Sequence, residues 1–252
     1  TEVVHEAGIQ VELLREDSAD ILFPNEVITH RDGGRFTLER TIRVPRPELW
    51  DEFHPTLYTV RVMLHCGDNM PVDVQATTFG IREAGTKDGR ITINGRKTFL
   101  RGTLECCIFP LTGYPSTDVE SWKRIVRICK AHGLNHIRFH SWCPPEAAFT
   151  AADELGIYLQ VEAPIWMDGW MSAPNPRKEM DTPGYPKGLG LGDRTNDAFA
   201  RAEIRRIIDT YGNHPSFTFF CIGNELSTTN FEVTGEWMRE AKQHDPRHLY
   251  AV

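Results

Sequence analysis

Hydrophobic and polar residues along this 252-residue chain follow two different rhythms. Over the first eighty positions the period is two. Phe36, Leu38, Ile42 and Val44 alternate with Thr37, Glu39, Thr41 and Arg43. Tyr58, Val60, Val62 and Leu64 alternate with Thr59, Arg61, Met63 and His65, and Val72, Val74 and Ala76 with Asp73, Gln75 and Thr77. Such alternation marks strands with one covered face. Asp32-Gly33-Gly34, Pro45-Arg46-Pro47 and Cys66-Gly67-Asp68-Asn69 separate them as turns. Short strands at this spacing predict an immunoglobulin-like β-sandwich over residues 1–84. No group of His, Glu or Cys with ligand spacing falls in it, so a scaffold role is expected.

From about Gly85 the rhythm changes. Ile91-Thr92-Ile93 and Thr98-Phe99-Leu100 flank Asn94-Gly95, a hairpin signal, and the second arm runs into Arg101-Gly102. Thr117-x-x-Glu120 reads as a capping box for a helix carrying Val119, Trp122, Ile125, Val126 and Cys129 on one face, closed by Gly133. His136 to His140 is a short strand. Pro144-Pro145 opens a helix that ends near Leu155-Gly156, and Ile157 to Val161 is a strand running into Glu162. Ile204, Ile207, Ile208 and Tyr211 share a helical face, a further helix spans about Val233 to Ala241, and Leu249 to Val252 begins another strand. Strands alternating with helices predict right-handed βαβ units and a parallel sheet. Residues 85–252 are therefore expected to form the N-terminal half of a (β/α)8 TIM barrel, strands one to four and the start of five. A doubly wound sheet is the rival, but no G-x-G-x-x-G or P-loop occurs to give it a nucleotide.

Between the last two helices lies Ser216 to Ile222, with no Pro and no charge, which reads as a strand buried on both faces. It stops at Gly223-Asn224-Glu225. Barrels place their chemistry at the C-terminal ends of such strands. A general acid at neutral pH needs a carboxyl whose proton affinity is raised by burial or a nearby anion, and an apolar strand end supplies burial. A helix cap or a solvated loop acid is the competing reading of Glu225.

Charge narrows the partners. Net charge is −7, with no block of Lys and Arg, which disfavours nucleic acid and anionic membrane surfaces. No apolar run is long enough to cross a bilayer, and Thr1 to His5 carry no basic start of a signal peptide. The six cysteines lack a C-x-x-C spacing and read as reduced structural thiols. His132, His136 and His140 are four apart but span a helix end and a strand, so they share no helical face. No metal and no cofactor are expected.

Residues from about Phe53 to Val252 resemble glycoside hydrolase family 2, the β-galactosidases, β-glucuronidases and β-mannosidases. The resemblance rests on an ordered set: His54-Pro55-x-Leu57-Tyr58, Phe79-Gly80-Ile81-Arg82, Ile93-Asn94-Gly95 with Arg101-Gly102, and Gly133-Leu134-Asn135-x-x-Arg138. It continues with Ala152-Asp153-x-x-Gly156-x-Tyr158, Glu162, and Tyr211-x-Asn213-His214-Pro215-Ser216 leading to Gly223-Asn224-Glu225. It implies an immunoglobulin-like domain and a barrel that hydrolyses β-glycosides with retention. Glu225 would be the general acid/base, and Asn224 would hydrogen-bond the sugar 2-hydroxyl. Arg138 and Glu162 would be polar residues at the ends of strands two and three; an ion pair between them is the structural alternative.

The chain departs from the family pattern in several places. Leu104 and Cys106 stand where an Asn and a His are usual after Arg-Gly, and Phe220 where a Trp precedes Gly-Asn-Glu. His140-Ser141-Trp142-Cys143 replaces Ser-His-Tyr-Pro. His140 is a displaced candidate for substrate contact, and Trp142 a candidate aromatic platform or a packing residue. The long segment Trp166 to Arg194, with Trp166, Trp170 and a Gly188-Leu189-Gly190-Leu191-Gly192 run, is expected to face the substrate. The family's nucleophile lies on strand seven and its N-terminal jelly roll precedes the sandwich; both are expected to be absent here, making this a segment of a longer enzyme. Left alone, a half-barrel would pair through its exposed edges, as a homo-oligomer. The alternative function is a non-catalytic carbohydrate-binding or assembly module. Cytoplasm and periplasm both remain open.

Overall fold

The computed structural model describes residues 7–15, 21–30, 37, 39, 41–66, 71–165, 189–191, 194–226 and 229–252. The chain divides into two compact units. One holds residues up to Trp50 together with Thr56–Ile81, and the other holds Asp51–Pro55 with Arg82–Val252.

In the first unit, β1 (Ala7–Arg15), β2 (Ile21–His30), β3 (Tyr58–Cys66) and β4 (Asp73–Phe79) form an antiparallel sheet in the order β2-β1-β3-β4. Val11 and Leu13 of β1 and Tyr58 of β3 are buried. Two corrections to the sequence reading arise here. Among the described residues of the expected Phe36–Val44 strand, none joins a ladder. The sheet is built instead by β1 and β2, which lie ahead of the alternating stretches. Period two makes a strand possible, but a partner edge makes it real. Val72 and Val74 are 60% and 46% exposed, so the alternation in and before β4 does not correspond to a covered face.

The second unit opens with a small sheet, β5 (Ala84–Lys87), β6 (Arg90–Ile93) and β7 (Arg96–Lys97), whose turn places Asn94 and Gly95 at positive φ. The hairpin is as expected, but its second arm ends at Lys97. The next strand starts at Gly102 in a different sheet. That sheet is β8 (Gly102–Glu105), β9 (His136–Phe139), β10 (Tyr158–Glu162), β11 (Phe217–Cys221) and β12 (Leu249–Ala251), every neighbouring pair parallel. Helices α1 (Val119–Ala131), α2 (Glu146–Leu155), α3 (Arg194–Tyr211) and α4 (Phe231–His244) fill the four crossovers. Spatial order equals sequence order. A doubly wound sheet would reverse at a switch point, and this one does not.

Alternation along each strand sorts the side chains. Ile137, Phe139, Leu159, Val161, Phe217 and Phe220 pack with Trp122, Val126, Phe149, Ile204, Ile208 and Trp237 of the helices. Each such side chain contributes about 1.5–3 kcal/mol by leaving water. The opposite face carries His136, Arg138, Gln160, Glu162, Phe219 and Cys221. A register shift between Leu159 and Gln160 keeps Phe219 level with Gln160 and Cys221 level with Glu162. The helix ends follow local chemistry. Asp118, not Thr117, caps α1, its carboxylate accepting from the Ser121 N–H at 2.8 Å. Gly156 ends α2 in the left-handed conformation, where a Cβ would lie 3.0 Å from the Asp51 and Glu52 carbonyls.

The N-terminal ends of the strands are tied by buried polar groups. Arg82 donates to the carbonyls of Pro215 (2.9 Å), Phe217 and Arg247, and burial, with Arg247 nearby, pushes its pKa down to about 10. Glu52 accepts from Asn135 Nδ2 and Arg101 Nη2, both at 2.8 Å, while its backbone N–H donates to the Tyr158 hydroxyl. Lys130 donates to the carbonyls of Glu52, Leu155 and Gly156.

Candidate active site

Three of the expected site residues meet at the C-terminal ends of β9 to β11. Strand alternation aims Arg138, two residues after His136, at the same face as Glu162, the last residue of β10. Arg138 Nε donates to Glu162 Oε1 at 2.5 Å, and its Nη2 donates to Asn224 Oδ1 at 2.8 Å. Glu162 is fully buried, and its Oε2 has no hydrogen-bond partner among the described residues. One guanidinium thus joins a buried anion to the side-chain amide beside Glu225. Removing Arg138 would leave the Glu162 carboxylate buried without its compensating charge.

The backbone explains why Gly, Asn and Glu stand in that order. After β10 the chain turns at once, Ile165 N–H donating to the Ala163 carbonyl at 2.6 Å, while Ala163 N–H donates to Cys221 of β11. The Ile165 carbonyl then accepts from Asn224 N–H at 3.4 Å. Gly223 lies between at φ 153°, and a Cβ there would sit 2.1 Å from that carbonyl oxygen. Only glycine fits so close an approach. Asn224 is half-buried; Glu225 follows at φ 52° with its side chain exposed, four positions past the last residue of β11. The strand is therefore shorter than the apolar run suggests, and the acid stands on the connection after it, without the burial that the sequence reading expected the strand end to supply.

Residues that the sequence reading left out complete this face. Gln160 Nε2 donates to Cys221 Sγ at 3.3 Å. Burial, with the Glu162 carboxylate opposed by Arg138, pushes the Cys221 thiol up to about 11, so it is protonated at neutral pH and is no nucleophile. His136 is buried edge-on to Phe219, its ring filling the space a Cβ on Gly102 would need. Burial and Arg138 push it down to about 4, so it is neutral, and its Nε2 has no partner among the described residues. Counting alternate positions back from Glu162 and Cys221 would have found Gln160 and Phe219.

Other candidates go elsewhere. The Trp142 ring packs edge-on against Phe139 (5.4 Å) and Phe109 (6.2 Å) and is tilted against Trp122, the packing alternative weighed from the sequence. The His140 N–H donates to the Glu105 carbonyl, holding that backbone at the rim. Trp166 and Trp170 lie outside the described residues. Of the long segment, Leu189 to Leu191 and Arg194 are described, and Gly190 lies against Trp237 of α4, its N–H donating to Asp197. Cys106 and Cys107 are exposed rather than buried, and both are free thiols. Asp153, His214 and Ser216 have the residue types of a nucleophilic triad without its geometry. Ser216 meets Asp153 through its backbone N–H, its hydroxyl turns to the Phe149 carbonyl, and the group precedes β11 rather than following it. A groove of about 300 Å³ between α3 and α4, lined by Ile204, Ile208, Trp237 and the Arg201–Glu240 pair, belongs to the helical layer and not to the strand ends. Among the described residues no helix is long and apolar enough to cross a membrane.

Comparison with known proteins sets this geometry in context. The family model described as glycosyl hydrolases family 2 matches residues 5–82, and that described as glycosyl hydrolases family 2, TIM barrel domain, matches residues 85–250. A curated β-galactosidase of Leuconostoc mesenteroides is 28% identical over 228 residues, covering 89% of this chain and 20% of that protein. The crystal structure of Parabacteroides merdae β-glucuronidase matches 98% of this chain and 29% of its own, at 23% identity and a TM-score of 0.75. A β-D-glucuronidase structure from Dictyoglomus thermophilum matches 97% of this chain and 39% of its own, at 21% identity and a TM-score of 0.73. The chain thus spans about a fifth of the curated relative's length and under two fifths of these structures. The five parallel strands are part of a TIM barrel wall, preceded by the β domain that the family model matches over residues 5–82.

Proposed function

We propose, since this chain belongs to family 2 of the glycosyl hydrolases, that it carries the acid/base side of a retaining β-glycosidase site. Glu225 protonates the leaving oxygen and then activates water. Asn224 binds the sugar beside the cleaved bond, and Arg138 and Glu162 support it from below. The observation that carries this reading is the single guanidinium bridging Glu162 and Asn224 at the strand ends, one residue from Glu225. A fold-holding salt bridge needs no third partner on a loop amide.

Retention needs two carboxylates about 5–5.5 Å apart. Glu162 is a poor second one. It is buried, bound to Arg138 and borne on the strand adjacent to β11, whereas a nucleophile must face the acid across the sugar. We therefore assign the nucleophile to a carboxylate outside these 252 residues.

The test compares leaving groups. In the longest polypeptide that contains this chain, Glu225→Gln should slow hydrolysis of alkyl β-glycosides by roughly 10²–10⁴-fold. Glycosyl transfer from an aryl glycoside with a strongly acidic phenol, which needs no proton, should be nearly unaffected. Equal losses on both substrates would refute the acid/base role. A wild-type protein that binds β-glycosides and never turns them over would favour the binding-module alternative.

A further inference from the structure

The edge strand β8 hands the chain to two adjacent cysteines. Cys106 and Cys107 are the only neighbours among the six cysteines, and both are exposed free thiols. Glu105, the last residue of β8, is level with Phe139, the last of β9. The pair therefore opens the connection at the C-terminal ends of the strands, the side that bears Arg138 and Glu162. In an extended segment adjacent side chains leave on opposite sides. Cys107 breaks that alternation at φ 56°, a conformation uncommon outside glycine. Glu105 holds it there, its carboxylate accepting from the N–H groups of Cys107 at 3.1 Å and Ile108 at 3.4 Å. Partial burial, and then that carboxylate, push the Cys107 thiol above its ordinary pKa, which slows oxidation through the thiolate.

Geometry narrows what such a pair can take. Neighbouring α-carbons lie about 3.8 Å apart, whereas an unstrained disulfide spans about 4.4–6.8 Å. A direct S–S bond is therefore disfavoured, and one atom placed between the sulfurs relieves the ring. That atom must be soft, because thiolate sulfur prefers soft partners. Two sulfur ligands must also satisfy it, since among the described residues no group of three or more His, Cys, Asp or Glu could hold a metal ion. A trivalent arsenic centre carrying one organic group meets both demands. Ile108 and Leu111, exposed on the same connection, favour an apolar aryl group on it.

We infer that Cys106 and Cys107 form a dithiol site for an aryl arsenic(III) compound at the rim of the strand ends. In the capture step two S–H bonds give way to two S–As bonds, and both protons leave with the arsenoxide oxygen as one water. No electrons are transferred. The site does not depend on the glycosidase reading.

The test adds phenylarsine oxide to the reduced 252-residue chain. One phenylarsine group per chain should be taken up, with two thiols lost to a thiol-specific dye. Proteolytic mapping should place it on the peptide that holds Cys106 and Cys107. Excess 2-mercaptoethanol should leave it in place, and 2,3-dimercaptopropanol should remove it. Cys106→Ser and Cys107→Ser each keep one sulfur, so affinity should fall roughly 10²–10⁴-fold with loss of the second, intramolecular bond. Cys143→Ala, which touches neither thiol, should bind as the wild type does. Capture that 2-mercaptoethanol reverses, arsenic mapped to other cysteines, or undiminished affinity in the serine variants overturns the proposal. Mapping on the unaltered protein decides the matter if a variant does not fold.

Discussion

Gly223→Ala tests the strand-end geometry most directly. The new methyl would lie 2.1 Å from the Ile165 carbonyl oxygen, and real Cβ contacts stay beyond 3.0 Å, so one of the two must move by about 0.9 Å. The obstacle is backbone, which cannot swing aside as a flexible side chain would. Overpacking of this kind costs about 1–3 kcal/mol, and holding a non-glycine residue at φ 153° costs about 1–3 kcal/mol more. Together these give about 2–6 kcal/mol. Gly113 supplies the control: it has φ 76° but open space around its Cβ position, so Gly113→Ala meets only the conformational cost. Urea unfolding of both variants should show a loss at Gly223 exceeding that at Gly113 by about 1–3 kcal/mol. Separation of the Ile165 carbonyl from Asn224 should also disturb the Asn224 backbone amide signal. Equal midpoints for the two variants, with that signal unmoved, would refute the argument.

Two further outcomes are expected. Arg82→Met leaves three backbone carbonyls without their buried donor, each worth about 1–3 kcal/mol, so urea unfolding should register a loss of at least about 3 kcal/mol; a smaller loss would mean that water reaches these carbonyls. His136 has a folded-state pKa of about 4, below its ordinary 6.5, so the folded protein binds fewer protons in that interval. Its stabilising effect is complete above about pH 6.5 and is lost as pH falls towards 4, on the order of 3 kcal/mol in all. His136→Phe should flatten that part of the stability profile, and an unchanged slope would show that His136 is not its source.

The parallel sheet and its order were legible because each strand is a short apolar run between well-marked helices, as at Ile157 to Val161. The Arg138–Glu162 ion pair was legible as an alternative, since both residues lie near the ends of neighbouring strands. What escaped needed a neighbour from another part of the chain. Nothing local to Gly223 announces the Ile165 carbonyl. Thr117 and Asp118 are neighbouring cap residues, and the helix starts at Val119, which puts Asp118 at the cap. Trp142 reads equally as a sugar platform or a packing residue until Phe109, Trp122 and Phe139 are brought to it by folding. In the first unit, β2 contains Pro24 and no clean alternation, while the cleaner pattern at Phe36–Val44 finds no ladder partner among the described residues.

Asp51 to Pro55 bear on how this gene can be cut. These five residues are encoded upstream of Arg82, yet they fold with the helical unit. Any excision that begins the helical unit at position 82 discards Glu52, leaving Asn135, Arg101, Lys130 and Tyr158 to find other company. The two halves are therefore not cassettes that recombination could swap at their seam, and an expression clone should begin before residue 51 or carry that pentapeptide back in.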